Sequence, residues 1–263
     1  MGEMSPPADL LARYQTWAWS VASDWPGVST TWRLESPESR VHYLKVGDSR
    51  RWPNGLAECE RLRWAAPFLP VAEVVDCGTD ESVDWLLTVA LAGVDATRHA
   101  LIGQPARLVA VLAGGLAQFH AAALVRLCPF DFGIEAALTH VRSRASAGLI
   151  DPESDFHPEH RHLSVEAALA QLELLTPVDE DLVVCHGDYC LPNVMLGPEG
   201  TVTGYLDLGE LGVADRWWDL AIGSWSVTWN LGPGWEGHFL SSYGVEPDSD
   251  RIRFYRLLYD LVS

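Results

Sequence analysis

The chain has 263 residues, of which 48% are hydrophobic and 21% are charged, and its formal net charge is -18. This length is enough for one bilobal unit or two small domains with a large core, and the apolar content excludes an intrinsically disordered chain. The negative charge argues against nucleic acid and anionic membranes as partners and favours a cationic ligand.

The N-terminus, MGEMSPPADLLARYQ, lacks the basic and apolar segments of a signal peptide, and no apolar stretch of the chain is long enough to span a bilayer. These features predict a cytoplasmic protein. The five cysteines are scattered and include no CxxC pair. We therefore expect neither a disulfide framework nor a structural zinc site.

The first third of the chain predicts a small sheet with one helix. The segments TWRL and RVHYLKVG alternate around a polar turn, which predicts a hairpin that ends near Lys45. The segment GLAECERLRWAAPFL has the apolar spacing of a helix that ends by Pro70. Two further strands are predicted in AEVVDCGTD and DWLLTVALAG.

The remainder of the chain is predicted to be mainly helical. An amphipathic helix in QPARLVAVLAGGLAQFHAAAL has Pro105 near its start, and SVEAALAQLELL opens with Ser164 as a plausible N-cap. Two short strands, LVVCHG and VTGYLDLG, flank the nonapeptide CHGDYCLPN. We therefore predict an α+β fold with two lobes, residues 1–92 and 93–263, and a hinge near residues 90–95.

This nonapeptide carries the strongest chemical signal. Its Asp188 and Asn193 have the spacing of a kinase catalytic loop, in which the Asp contacts the acceptor hydroxyl and the Asn binds a metal ion. Asp207, at the end of the next apolar strand, fits a second metal-binding residue. Lys45 and Glu58 fit the ion pair that orients a lysine against nucleotide phosphates. Together these residues predict Mg²⁺-dependent phosphoryl transfer.

Seven segments of the chain resemble one known family, the aminoglycoside phosphotransferases. They are VVCHGDYCLPNVML, GYLDLGELGVADRWWDLA, AGLIDPESDFHPEHRHL, HYLKVGDSR, ECERLRWAA, LAQFHAAALVRLCPF and FYRLLYDLVS. The resemblance extends over nearly the whole chain and is strongest to the 3'-phosphotransferases that act on kanamycin and neomycin, followed by the streptomycin phosphotransferases. It implies a protein-kinase-like fold, with a nucleotide-binding N-terminal lobe and a catalytic, substrate-binding C-terminal lobe. It also implies transfer of the γ-phosphate of ATP or GTP to an antibiotic hydroxyl.

The resemblance also implies roles for individual residues. Asp188 would be the catalytic base or would orient the acceptor hydroxyl. Gly27 and Ser29 would lie in the loop that positions the nucleotide, and the backbone of Ala90 and Leu91 would meet the adenine edge.

The substrate-binding region is predicted from charge together with the resemblance. The loop at residues 151–160 is rich in acidic residues, and the resemblance places it over the drug. We predict that Asp155, Glu159 and Asp260 contact the ammonium groups of a polycationic aminoglycoside. The histidines of this loop have no cysteine partner and do not predict a zinc site.

Departures from the family pattern leave alternatives open. Glu210 stands where the family usually has Arg after D-x-G, and Tyr259 and Asp260 stand in place of a C-terminal acidic pair. The leading hypothesis is an aminoglycoside O-phosphotransferase that confers resistance. A kinase for another small alcohol or amino sugar has no evident need for the acidic loop. A nucleotide-binding pseudoenzyme has no chemical need to retain the complete catalytic set.

Asp219, in RWWDLA, is expected to support the catalytic loop.

Overall fold

The computed structural model describes residues 4–80 and 82–262. These residues form two compact units. The first contains the chain up to Gly93 together with Thr203–Glu210, and the second contains Val94–Val202 and the chain from Leu211 onward. The short segment that carries Asp207 therefore belongs with the N-terminal sheet, whereas the sequence pattern assigned it to the domain at residues 93–263.

The fold class is α+β, as predicted. In chain order, the α-helices and strands of the described residues are α1 (Ala8–Arg13), β1 (Ala18–Trp25), β2 (Ser29–Glu35), β3 (Val41–Asp48), α2 (Gly55–Ala65), β4 (Val74–Asp80), β5 (Val83–Val89), β6 (Val94–Asp95), α3 (Pro105–Ala122), α4 (Ile134–Ser146), α5 (Val165–Leu175), β7 (Leu182–Cys185), β8 (Val194–Leu196), β9 (Val202–Tyr205), β10 (Gly212–Asp215), α6 (Trp217–Leu231), α7 (Glu236–Tyr243) and α8 (Ser249–Val262).

The first unit is built on a five-stranded antiparallel sheet in the order β1-β2-β3-β5-β4. In β3, Leu44 and Val46 are fully buried in the core, whereas Lys45 between them is only partly buried. Because successive side chains of a strand point to opposite faces of the sheet, Lys45 lies on the face away from this core. The hairpin predicted around Lys45 is confirmed.

Three features of the first unit were not predicted: the short helix α1, strand β1 and one disulfide bond. Strand β1 pairs with β2 at the edge of the sheet, and its residues are almost all exposed, so no buried apolar face marks it as a strand. No disulfide framework was expected, but one single disulfide bond joins Cys59 of α2 to Cys77 of β4. The two cysteines are 18 residues apart in the chain, and the packing of α2 against β4 brings them together.

The second unit is mainly helical. Helix α3 starts at Pro105, where the missing N–H costs no hydrogen bond, and Ser164 caps α5 by accepting a hydrogen bond from the N–H of Ala167. Helix α6 is buried along most of its length, from Trp217 to Val227. Strands β7 and β10 form a short antiparallel pair beneath the catalytic loop. No helix among the described residues is long and apolar enough to cross a membrane.

Candidate active site

Lys45 of the first unit lies between two carboxylates. Its Nζ is 3.0 Å from Oε2 of Glu58 and 2.8 Å from Oδ1 of Asp207. Burial by itself lowers the pKa of Lys45, but the charges of Asp207 and Glu58 outweigh it, so its pKa is raised and the ammonium form is retained. The sequence-predicted pairing of Lys45 and Glu58 is thus present, and Asp207 adds a second ion pair.

Glu58 is held in place by the start of helix α2. The Asn54 side chain caps this helix by accepting a hydrogen bond from the N–H of Ala57. Glu58 follows in the first turn, and its side chain is only 9% exposed. Burial raises the pKa of Glu58, while the neighbouring ammonium of Lys45 opposes that shift. A second carboxylate, Asp84, anchors the same helix start by accepting a 2.7 Å hydrogen bond from the N–H of Gly55.

Asp207 is exposed and has an unusual backbone conformation. Its φ of 53° lies in the left-handed region, which is uncommon for a residue other than glycine and occurs often at functional sites. Gly209 follows, and a Cβ atom there would lie 2.8 Å from Cγ of Pro53. The turn after β9 therefore requires a glycine at this position. The side chain of Asp207 remains 51% exposed, so its carboxylate is accessible to a ligand.

A pocket of about 270 Å³ lies within the first unit. Its lining includes Ser29, Lys45 and Asp207 of the predicted set, together with Arg51 and Asp84, which the sequence analysis did not select. Arg51 has no motif to mark it. Asp84 could have been noticed as an acidic residue within the apolar strand DWLLTV, where burial raises its pKa.

The other predicted nucleotide-binding residues lie at opposite ends of the sheet, Gly27 beside the end of β3, and Ala90 and Leu91 beside its start. Gly27 has a φ of 76° in the turn between β1 and β2, a conformation that favours glycine. The N–H of Ala90 donates a hydrogen bond to the carbonyl of Val41, so it is already engaged in the sheet. An adenine edge would consequently have to use the Ala90 carbonyl or the peptide groups of Leu91.

In the second unit, Asp188 and Asn193 are in direct contact. Nδ2 of Asn193 donates to Oδ2 of Asp188 at 2.7 Å and to its backbone carbonyl at 3.0 Å. The other carboxylate oxygen, Oδ1, accepts a 2.9 Å hydrogen bond from the hydroxyl of Tyr259. Asp188 is half-buried and Asn193 is buried. The side chains of Asn193 and Tyr259 therefore orient the two oxygens of the Asp188 carboxylate.

Helix α6 holds the catalytic loop in its conformation. The fully buried Asp219 accepts hydrogen bonds from the N–H groups of His186 and Gly187, at 2.7 and 2.9 Å. Burial by itself raises the pKa of Asp219, but its hydrogen bond with His120 and the adjacent charges and donors lower it. Nε1 of Trp218 donates to the carbonyl of Gly187 at 2.7 Å. The prediction that Asp219 supports the loop is confirmed.

His186 has a structural role in the same loop. It is fully buried, and its Nδ1 accepts a 3.2 Å hydrogen bond from the N–H of Asp188. This contact fixes the backbone of Asp188.

The predicted drug-binding acids occupy unequal environments. Asp155 is partly buried and pairs with Arg144 at 3.4 Å. Glu159 is 47% exposed and lies 3.8 Å from the guanidinium of Arg256. Each of these two acids is thus partly neutralised by an arginine of its own unit, which weakens it as a cation-binding group.

Asp260 requires a correction. Its side chain has no exposure, and its carboxylate accepts a 3.0 Å hydrogen bond from the N–H of His157 and a 2.7 Å hydrogen bond with Nδ1 of His160. The ring of His157 is also bonded to it, at 2.5 Å. A fully enclosed carboxylate cannot contact an ammonium group directly, so the predicted drug contact is wrong as stated. The histidines of the loop, which the sequence analysis set aside, are the partners of Asp260.

Comparisons with known proteins identify the family. The model of the family described as "Phosphotransferase enzyme family" (APH) matches residues 24–255. An aminoglycoside 3'-phosphotransferase of Streptomyces fradiae is 37% identical over 210 residues, which are 76% of this chain and 77% of that protein.

Two solved structures extend the comparison. An aminoglycoside-3'-phosphotransferase of type VIII has a TM-score of 0.87 and 34% identity, with 96% of each chain covered. The aminoglycoside phosphotransferase APH(3'')-Id of Streptomyces rimosus, solved with ADP and streptomycin, has a TM-score of 0.80 and 27% identity. The alignment with this structure covers 97% of the present chain and 96% of the chain of APH(3'')-Id. This chain, with its Lys45, Asp188, Asn193 and Asp207, belongs to the phosphotransferase enzyme family.

Proposed function

We propose that this protein is an aminoglycoside O-phosphotransferase, which transfers the γ-phosphate of ATP or GTP to a hydroxyl of the antibiotic and thereby confers resistance. The observation that carries this proposal is the orientation of Asp188, whose two carboxylate oxygens are held by Asn193 and Tyr259. Relatives named as 3'-phosphotransferases support the acceptor class and favour the 3'-type over the streptomycin type.

The nucleotide is assigned to the first unit. Lys45 contacts the α- and β-phosphates, and its pairing with Glu58 holds the ammonium in position for them. Ser29 and Gly27 belong to the turn that covers the phosphates, and Arg51 adds a second positive charge at the pocket. The Ala90 carbonyl and the Leu91 backbone take the adenine edge.

The side chains assigned to metal binding fit Mg²⁺ by their chemistry. Asp207 offers an exposed carboxylate, and Asn193 uses its amide nitrogen toward Asp188, so that its carbonyl oxygen is left for a ligand. Hard oxygen ligands of this kind suit Mg²⁺. When bound there, Mg²⁺ would neutralise charge on the transferring phosphates.

Asp188 carries out the step at the acceptor. Its carboxylate aligns the acceptor hydroxyl and receives the hydroxyl proton as the oxygen of the acceptor bonds to the γ-phosphorus. The bond between that phosphorus and the oxygen bridging it to the β-phosphate breaks, and the nucleoside diphosphate leaves. The hydrogen bonds of Asn193 and Tyr259 reduce the rotational freedom of the carboxylate before the acceptor binds.

A polycationic acceptor suits the charge of the protein. The net charge of -18 attracts it over a distance, and exposed carboxylates of the loop, Glu153 and Glu159, are available to its ammonium groups. Asp155 is retained as a contact shared with Arg144. Asp260 instead has a supporting role, because its buried carboxylate holds His157 and His160 of this loop in place. We assign the activity to the cytoplasm, because the nucleoside triphosphates ATP and GTP are present in that compartment.

The test is nucleoside-diphosphate release by the purified protein with Mg²⁺, using ATP and GTP separately. Kanamycin, neomycin, streptomycin and a set of neutral sugars and amino alcohols are each compared with a reaction that contains no acceptor. We expect kanamycin or neomycin to stimulate release, with phosphate recovered on the drug. Release that only a neutral sugar or amino alcohol stimulates would instead support the small-alcohol kinase. Nucleotide binding without transfer to any acceptor would support the pseudoenzyme.

A further inference from the structure

The Asp188 carboxylate has a second side-chain partner that belongs to neither the catalytic loop nor the metal-binding set. Tyr259, near the end of α8, donates its hydroxyl to Oδ1 of Asp188 at 2.9 Å, across 71 residues of sequence. Asn193 takes the opposite oxygen, Oδ2. A carboxylate held at both oxygens has lost the rotation that would otherwise have to be stopped when the acceptor binds.

The position of Tyr259 is itself fixed by its neighbours. The next residue, Asp260, is enclosed and bonded to His157 and His160, which fastens this turn of α8 to the loop at residues 151–160. The ring of His157 lies 5.9 Å from that of Tyr259 and stacks at 4.4 Å on Trp229 of α6. The phenol therefore lies against His157, which is itself stacked on α6 and hydrogen-bonded to Asp260, and this makes its hydroxyl a preorganised donor.

We propose that Tyr259 is a positioning residue for phosphoryl transfer, which acts by orienting Oδ1 of Asp188 toward the acceptor hydroxyl. This inference rests on the proposed function, because it assigns Asp188 as the residue that meets the acceptor. An oxygen of a carboxylate can accept more than one hydrogen bond, so the hydrogen bond from Tyr259 to Oδ1 does not by itself prevent this oxygen from meeting the acceptor hydroxyl. The hydroxyl of Tyr259 remains on the enzyme and takes no part in the bonds that form or break.

The experiment compares Tyr259→Phe with Tyr255→Phe. Both variants lose one phenolic hydroxyl from the same helix, and Tyr255 is buried one turn earlier. With the best acceptor of the wild type, we expect kcat of Tyr259→Phe to fall about tenfold, the usual scale for one hydrogen bond to a charged group. The KM for the nucleotide should stay within about twofold of the wild-type value, and Tyr255→Phe should retain the wild-type kcat.

A second comparison tests whether Tyr259 acts through Asp188. In the Asp188→Asn background, Tyr259→Phe should cause no further loss of the residual transfer, because residues that act as one unit are not additive. A further tenfold loss in that background would overturn the inference, since Tyr259 would then act on the substrate directly. A kcat of Tyr259→Phe equal to or above that of the wild type would overturn it as well.

Failure of the inference differs from failure of the proposed function. If the wild type transfers phosphate but Tyr259→Phe and Tyr255→Phe behave alike, the inference alone is overturned. If the wild type transfers phosphate to no acceptor, both are overturned. Thermal unfolding of the two variants should give similar midpoints. If Tyr259→Phe loses kcat together with a lower unfolding midpoint and a loss of nucleotide binding, the loss reflects damage to the fold, and the positioning role is overturned.

Discussion

At the scale of single residues, the proposed function depends on Asp188. Substitution Asp188→Asn keeps the shape of the side chain but removes the negative charge that receives the acceptor proton. We expect kcat to fall by about two to four orders of magnitude, with nucleotide binding nearly unchanged, because the nucleotide is assigned to the other unit. Steady-state kinetics and titration with a fluorescent nucleotide analogue measure the two quantities.

The control for this variant is Asp80→Asn, which makes the same chemical change at an exposed strand end. It should behave as the wild type does. Near-wild-type transfer by Asp188→Asn would show that the carboxylate of CHGDYCLPN is not the group that meets the acceptor.

At the scale of elements, helix α8 and the loop at residues 151–160 depend on Asp260. We expect Asp260→Asn to lower the free energy of unfolding by about 2–4 kcal/mol, because an amide cannot satisfy the same hydrogen bonds with His157 and His160. The exposed Asp250 at the start of the same helix provides the matched control, Asp250→Asn, which should change stability little. Urea unfolding measures both.

This variant also separates the two roles considered for Asp260. If Asp260 only supports the structure, Asp260→Asn will lower stability, and its effect on the KM of the drug will be secondary. A large rise in the KM of the drug with unchanged stability would instead restore Asp260 as a direct contact.

The same anchor should make stability depend on pH. Burial by itself raises the pKa of Asp260, but the hydrogen bonds from His157 and His160 outweigh it and lower its pKa. A lowered pKa in the folded state means that the carboxylate stabilises the fold fully above its unfolded pKa, about 3.9. That stabilisation is lost as the pH falls through the lowered value. Between about pH 5 and pH 3, the wild type should therefore lose more unfolding free energy than Asp260→Asn; equal losses would contradict this assignment.

At the scale of the whole molecule, charge should govern capture of the acceptor. With a net charge of -18, the KM of a polycationic drug should rise several-fold as NaCl is raised from about 0.05 to 0.5 M, because the Debye length shortens to a few ångströms. The nucleotide is an anion, so its KM should not rise in parallel and serves as the internal control. If the KM of the drug does not change with salt, the protein binds the drug through short-range contacts alone, and long-range charge attraction makes no contribution.

The fold and several contacts of the candidate site could be predicted from the sequence, because the signals are local. The spacing of Asp188 and Asn193 lies within one loop, the alternation around Lys45 lies within one hairpin, and Asn54 caps α2 three residues from its partner Ala57. Strand β1 could not be predicted, since an exposed edge strand is defined by its pairing and not by an apolar pattern.

What the sequence alone determined about this protein is therefore its chemistry: a kinase-like catalytic loop, the Lys45–Glu58 pair and an acidic surface. Only the tertiary structure decided which side chains are buried and which distant residues contact the candidate site. It enclosed Asp260 against histidines 100 and 103 residues away, brought Tyr259 to Asp188 across 71 residues, and joined Cys59 to Cys77. The physical reason is that burial and long-range hydrogen bonds depend on how whole elements pack, and no local spacing encodes the direction in which a side chain at the end of a helix will face.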